Sequence, residues 1–340
     1  MADLFSTDTL AAIVQDLRTP QMGLAARYFN ATSQDETEEI HFDLDNKPRR
    51  MAPFVSPLVA GQVVKSRGFQ TSTFKPAYVK DKRVFTPNRA LKRVMGEQVG
   101  GGGLSLQERM QVLLAGDLQD QVEMLERRFE WMAAQAMNDG KITVTGDQYP
   151  TVVVDFGRDA QLSKTLAGAS RWGQAGIKPL DDLQDWSDLM VNLTGVAMTE
   201  VIMTVDAWKI FRADADVKTR LDRWRGNSTM QPNAHQKEGL VFQGMVDQFA
   251  IYTYSGWVVD PVTDVQSPIL PTFTVLGAAG DAVEGVRHFG AILDHDALVA
   301  ESYFAKSWLE QDPSIRYLLM QSAPLLVPYR VNATFRAKVN

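Results

Sequence analysis

The sequence predicts an α+β fold, and three observations point to it. One helical stripe of unusual length runs through residues 106–139, segments rich in β-branched and aromatic residues flank it, and helices and strands mix downstream without a regular βαβ cadence. The 340 residues supply core for two or three domains, on a prior of about 150 residues each. Hydrophobic residues at 45% and charged residues at 22% describe a folded chain rather than a disordered one. Cys is absent, which excludes disulfide scaffolds, thiolate metal sites and cysteine nucleophiles.

Residues 1–52 read as an arm. A short amphipathic helix around residues 9–18 stops before Pro20, a polar acidic stretch follows at 32–39, and residues 39–44 are extended. So little apolar surface folds only by lying on something else. The N-terminus lacks a basic region followed by an apolar core, and no stretch approaches the roughly 18–20 apolar residues of a membrane helix. The expectation is a soluble protein made in the cytoplasm.

Residues 53–95 read as a long basic β-hairpin, with strands at 55–66 and 73–82 and a turn at 67–72. Pro53, Pro57, Pro76 and Pro87 confine such strands to edges. An isolated two-stranded hairpin is at best marginally stable in water, so this one should lean on another subunit. Charge supports that expectation. Residues 1–48 hold nine acids against three bases, a net −6, whereas residues 49–95 hold eleven bases against Asp81 alone, a net +10. With the whole chain at −6, the remainder carries −10. A basic segment of this kind either binds phosphates or docks on an acidic copy of the same protein. The missing aromatic interleaving of a single-strand platform favours the copy. Lys65, Arg67, Lys75, Lys80, Lys82 and Arg83 are the candidate subunit-contact residues.

Gly100, Gly101, Gly102 and Gly103 form a hinge, free in φ at four consecutive positions. No Gly-Lys-Ser/Thr follows, so they cradle no phosphate. Ser105 and Glu108 then make a capping box, and Met110, Leu113, Leu114, Leu118, Val122, Leu125, Phe129 and Met132 recur at three- and four-residue spacing. Gly140 closes the helix as a C-cap. At 1.5 Å per residue it is about 50 Å long, a spine lying across a sheet.

Residues 141–145 and 151–156 pair as a hairpin across Gly146 and Asp147. Asp181 or Asp182 caps a helix reaching Leu193, residues 201–204 are a strand, Asp206 caps a helix through Phe211, and 217–224 continue helical. Strands are expected at 241–254, 273–276, 286–293, 315–322 and 331–337, with a helix around Trp308.

Catalytic motifs are missing. There is no H-E-x-x-H, G-x-S-x-G, G-x-G-x-x-G after a strand, or P-loop. Asp294, His295 and Asp296 are the strongest metal or general-base candidates, but a metal needs more ligands than His288 nearby supplies, and an exposed turn explains them as well. Arg223, Trp224 and Arg225 fit a helix end meeting a neighbouring surface. No cofactor or metal is expected. An enzyme using Asp294, His295 and Asp296, or a nucleic-acid module using residues 49–95, remain the alternatives.

The order of parts resembles the major capsid proteins of tailed phages, with their Hong Kong 97-type fold, and most closely the lambda-type major capsid protein E family. The carriers are Val55-Ser-Pro-Leu-Val-Ala-Gly61, Ser66-Arg-Gly68, Pro76-Ala-Tyr-Val-Lys80, Tyr254-Ser-Gly256 and Met320-Gln-Ser-Ala-Pro-Leu325. The resemblance implies an N-terminal arm at 1–52, an extended loop at 53–95, a peripheral domain at 96–179 with spine helix 106–139, an axial domain at 180–310, and C-terminal strands at 311–340. It further implies a structural protein of the virion rather than an enzyme. Such subunits self-assemble as hexamers and pentamers into an icosahedral shell around double-stranded DNA, made with a scaffold, a portal and a trimeric decoration protein, and the procapsid expands on maturation. No membrane enters this picture, and no crosslinking pair is identifiable in the sequence.

Overall fold

The spine helix owes its length to its two ends as much as to its stripe. In the computed structural model, which describes residues 5–17, 23–37, 39–44, 70–92, 104–146, 149–221, 239–260, 263–295 and 298–340, this helix spans Leu106–Asp139. The Glu108 N–H donates to Ser105 Oγ at 3.3 Å, and the Ser105 N–H donates to the Glu108 carboxylate at 2.7 Å, completing the capping box. At the other end Gly140 sits at φ 67°, ψ 14°, a left-handed conformation that costs glycine no Cβ clash. Arg158 donates to the carbonyl oxygens of Met137 and Asn138 in the last turn. Burial lowers its pKa to about 10. Leu114, Leu118, Val122, Leu125, Phe129 and Met132 are buried along the stripe. Strands Ile315–Ser322, Pro324–Pro328 and Thr334–Lys338 pack against the helix, as do the short helices Thr7–Asp16, Gly23–Tyr28 and Pro87–Leu91.

The downstream unit is built on a six-stranded sheet. Its order is Ser163–Thr165, Thr334–Lys338, Thr274–Ala278, Glu200–Thr204, Phe249–Tyr254, Leu240–Val246. Trp186 on helix Pro179–Thr194 stacks on Phe335 at 5.0 Å and on Trp172 at 5.9 Å, and Phe211 on helix Val205–Phe211 closes the cluster against Trp172. These large buried rings join the helices to the sheet. A three-stranded sheet runs Ala31–Gln34, Gly285–Phe289, Pro324–Pro328, the first pair parallel and the second antiparallel. Another runs Phe304–Glu310, Ile315–Ser322, Val79–Phe85, antiparallel throughout. Hydrogen-bonded pairs therefore join residues on both sides of position 310.

Several expected elements differ in detail, each for a local reason. Thr204 and Lys178 occupy the N-cap positions, so Asp206 and Asp181 and Asp182 lie in the first turns, where acids complement the helix dipole. Residues around Trp308 form a strand, drawn out by seven in-register pairs with Ile315–Ser322. The run 241–254 is two strands joined at Asp247-Gln248, with Asp247 at φ 50°, because a short polar side chain tolerates that region. The run 286–293 breaks at Gly290. Of the hairpin expected at 53–95, residues 55–66 lie outside the described residues. The described part pairs elsewhere in its own chain: Gln70–Phe74 with Ile40–Leu44, and Val79–Phe85 with Ile315–Ser322. Residues 70–72, expected in the turn, are strand, and Lys75-Pro76-Ala77-Tyr78 interrupts the run expected at 73–82 because Pro76 has no amide to pair.

Candidate subunit-interaction surface

Three polar clusters fasten the arm to the body of its own chain. Glu130, buried on the spine helix, accepts the Leu24 N–H at 2.9 Å on one oxygen and the Ala25 N–H at 2.8 Å on the other. These amides belong to the first turn of helix Gly23–Tyr28, whose opening N–H groups have no partner within the helix. The Tyr254 hydroxyl donates to the same carboxylate at 2.7 Å. Burial raises the Glu130 pKa, and the two amides and the tyrosine oppose that rise. Glu200, the first residue of the interior strand Glu200–Thr204, receives Arg27 in a fork at 2.5 and 2.7 Å and the Tyr28 hydroxyl at 2.6 Å. Burial pulls the Arg27 pKa down, but the Glu200 contacts outweigh it and hold the guanidinium above its usual range.

The third cluster follows the arm onward. Ala31–Gln34 pairs with Gly285–Phe289, and His288, buried there, meets Asp35 at 2.9 Å and Tyr329 at 3.0 Å. A carboxylate only accepts, so Nδ1–H points at Asp35 and Nε2 takes the tyrosine hydroxyl. Gly285 is required at this crossing, because a Cβ would collide with the carbonyl oxygen of Tyr28. Glu126, one turn before Glu130, receives the Tyr303 hydroxyl and lies 3.6 Å from Arg287, which itself donates to the Phe29 carbonyl. Burial raises the Glu126 pKa against both partners.

The basic strand Val79–Phe85 has two unlike faces. Toward the spine helix, Arg83 meets Asp81 at 3.0 Å, Asp120 at 3.2 Å and Asp117 at 3.6 Å. Arg89 grips Asp117 with a fork at 2.6 and 3.0 Å. Away from the helix, Lys80 and Lys82 are exposed. The Lys82 ammonium sits 3.9 Å from the centre of the Tyr317 ring and 5.2 Å from that of Trp308, a cation–π arrangement, and Lys80 lies over Tyr78 at 5.4 Å. Lys75 is exposed. Lys65, Arg67, the glycines at 100–103 and the Arg223-Trp224-Arg225 cluster lie outside the described residues.

The candidate acid–base residues do not come together. Asp294 pairs with Lys306 at 2.7 Å, His295 is exposed, and Asp296 lies outside the described residues. His288 is occupied in the arm cluster. Among the described residues no group of three or more metal-ligating side chains converges. A cleft of about 400 Å³ beside Thr204, Tyr254, Trp257 and Gln266 holds one carboxylate, Asp206, which lies 3.6 Å from Lys209. It has no paired nucleophile and base.

Sequence reasoning missed the arm anchors. A signal was present: Glu126 and Glu130 sit four residues apart, inside the apolar stripe between Val122 and Ala133, where a charged residue has to find donors. Arg27, Glu200 and His288 carried no comparable mark, since their partners are 173 and 253 residues away in sequence.

An arm pinned across a spine helix, mixed sheets packed on that helix and a basic edge strand beside it define the frame of this chain. The crystal structure of a protein assigned as a prophage capsid protein from Escherichia coli CFT073 matches 98% of this chain and 99% of its own, with a TM-score of 0.78 at 20% identity. This is the mixed α+β, Hong Kong 97-type capsid fold. The chain belongs to the phage major capsid protein E family, whose pattern matches residues 6–339. The major capsid protein of Escherichia phage N15 is 32% identical over 308 residues, covering 88% of this chain and 89% of that one. The major capsid protein of Escherichia phage lambda is 30% identical over the same length and coverage.

Proposed function

We propose that this chain is the structural subunit of a tailed-phage head, assembling with its copies into an icosahedral shell. The observation that carries the reading is the family match from residue 6 to 339, which spans the arm, the spine helix and the sheets alike. The role is structural rather than enzymatic, and its place is the virion. Copies group as hexamers and pentamers and enclose double-stranded DNA without reading its sequence. A scaffold, a portal and a trimeric decoration protein are the partners, and synthesis takes place in the host cytoplasm. Residues 1–52 act as arm, 53–95 as the loop that reaches a neighbour, 96–179 as peripheral domain, 180–310 as axial domain and 311–340 as returning strands. The glycines at 100–103 act as its hinge. Lys65, Arg67, Lys75, Lys80 and Lys82 act as contact residues, supported by the exposure of the three described ones, while Arg83 fixes the strand against the spine helix. Negative-stain electron microscopy of the purified chain tests the reading. Closed shells or tubes are expected, and a preparation holding only monomers or small oligomers would overturn it.

A further inference from the structure

The sheet of Phe304–Glu310, Ile315–Ser322 and Val79–Phe85 is covered on one face and open on the other. Arg83 and Phe85, with Leu318 and Met320 in register beside Arg83 and Asp81, face the spine helix and the arm's first helix, and Leu318 and Met320 are fully buried. Alternation puts Lys80, Lys82 and Val84 on the opposite face, beside Leu319, Tyr317, Trp308 and Lys306. Val84 is 46% exposed, Lys80 and Lys82 are exposed, and the half-buried Trp308 and Tyr317 rings beside them lie 5.3 Å apart, centre to centre. Lys306 is neutralised by Asp294, and the Tyr317 hydroxyl is turned to Glu310 at the far end. The positive centre of the face is therefore Lys80 and Lys82, bordered by half-buried aromatic rings of the kind that anchor protein interfaces.

A matching surface lies on helix Pro179–Thr194. Asp181, Asp185 and Asp188 are exposed on one side of it, and Asp185 and Asp188 have no base within ion-pair distance among the described residues. Val191, 38% exposed, follows on the same side. The spacings agree as well as the signs. Alternate residues of a strand are about 6.6 Å apart, and helix neighbours three or four apart are about 5–6 Å apart. Laid along the sheet, the acids meet Lys80 and Lys82 while Val191 reaches Val84 and the two rings.

We propose that the Lys80/Lys82 face docks on the Asp185/Asp188 face of a second copy. The pairing rests on the shell reading and deepens it by naming both sides of one subunit contact. It joins unlike patches of identical chains, a heterologous contact that repeats around a ring when the rotation closes. Three full-length variants test it: K80E/K82E, D185K/D188K, and all four changes together. Each double reversal is expected to lower the yield of sedimenting shells about tenfold or more through facing like charges, and the combined variant to recover most of it. A double reversal that assembles like the parent, or a combined variant no better than either double, would overturn the pairing while parental shells keep the shell reading standing. A parent that forms no assembly would overturn both. Should a variant fail to fold, carbodiimide crosslinking of isotopically mixed parental shells decides. Amide bonds from Lys80 or Lys82 to Asp185 or Asp188 between differently labelled chains are expected, and their absence overturns the pairing.

Discussion

Residues 23–35 and residues 79–92 both reach the spine helix through charge, but the first stretch ends on buried carboxylates alone, whereas the second divides between buried Asp117 and exposed Asp120. Glu130 meets backbone amides and a tyrosine away from water, where every donor is spoken for and none can be replaced by solvent. Arg83 meets exposed Asp120 as well as buried Asp117, so water and salt compete for the outer of these two contacts. The same chemistry thus makes a permanent attachment in one place and an adjustable one in the other. For a subunit that must keep its own arm and also meet neighbours, that division is useful. The internal latch is dry, and the outward lysines are exposed to water in the single chain.

The contrast can be broken by substitution, and the sharpest test is Glu130→Ala. It leaves two buried amides and a hydroxyl unpaired, and a loss of about 3–5 kcal/mol is expected from urea unfolding of the free subunit. Arg27→Ala removes the fork on Glu200 and should cost about 2 kcal/mol in the same assay, with Tyr28 still bound. Ser105→Ala opens the capping box and should cost about 1 kcal/mol. Arg83→Ala should cost under about 1 kcal/mol, and the difference should shrink as salt rises from low to molar concentration. An Arg83 effect as large as that of Glu130 would erase the distinction between the two regions.

Acidity sharpens the comparison further. Burial raises the Glu126 and Glu130 pKa values above the ordinary 4.5, so the folded chain holds those protons more tightly than the unfolded one. Their contribution to stability is present below that ordinary value and is lost as pH climbs through the raised ones. Glu126→Gln keeps the shape without the titration. Its unfolding free energy, followed across that window, should fall less steeply with rising pH than the parent's.

The spine helix was legible because its whole specification is local: a capping box, a periodic stripe and a terminal glycine all sit within 36 residues, 105–140. The basic character of residues 79–92 was equally plain. The pairing partner of Val79–Phe85 was not, since Ile315–Ser322 lies more than 230 residues away and nothing in either strand names the other. The strand at Trp308 failed for the same reason, because cross-strand pairing outweighs a weak local preference. The two-residue turn at Asp247-Gln248 lacks the glycine that signals most tight hairpins. Of the arm, the sequence showed that it needed a support, and only the fold showed that the support is its own chain.

The arm's latch is internal, whereas the Lys80/Lys82 face is proposed to be completed by another copy. Acylation of surface amines, mapped residue by residue in free subunits and in assembled shells, addresses it directly. Lys80 and Lys82 should label readily in the free subunit and be protected in the shell. Equal labelling of both lysines in the two states would contradict the account.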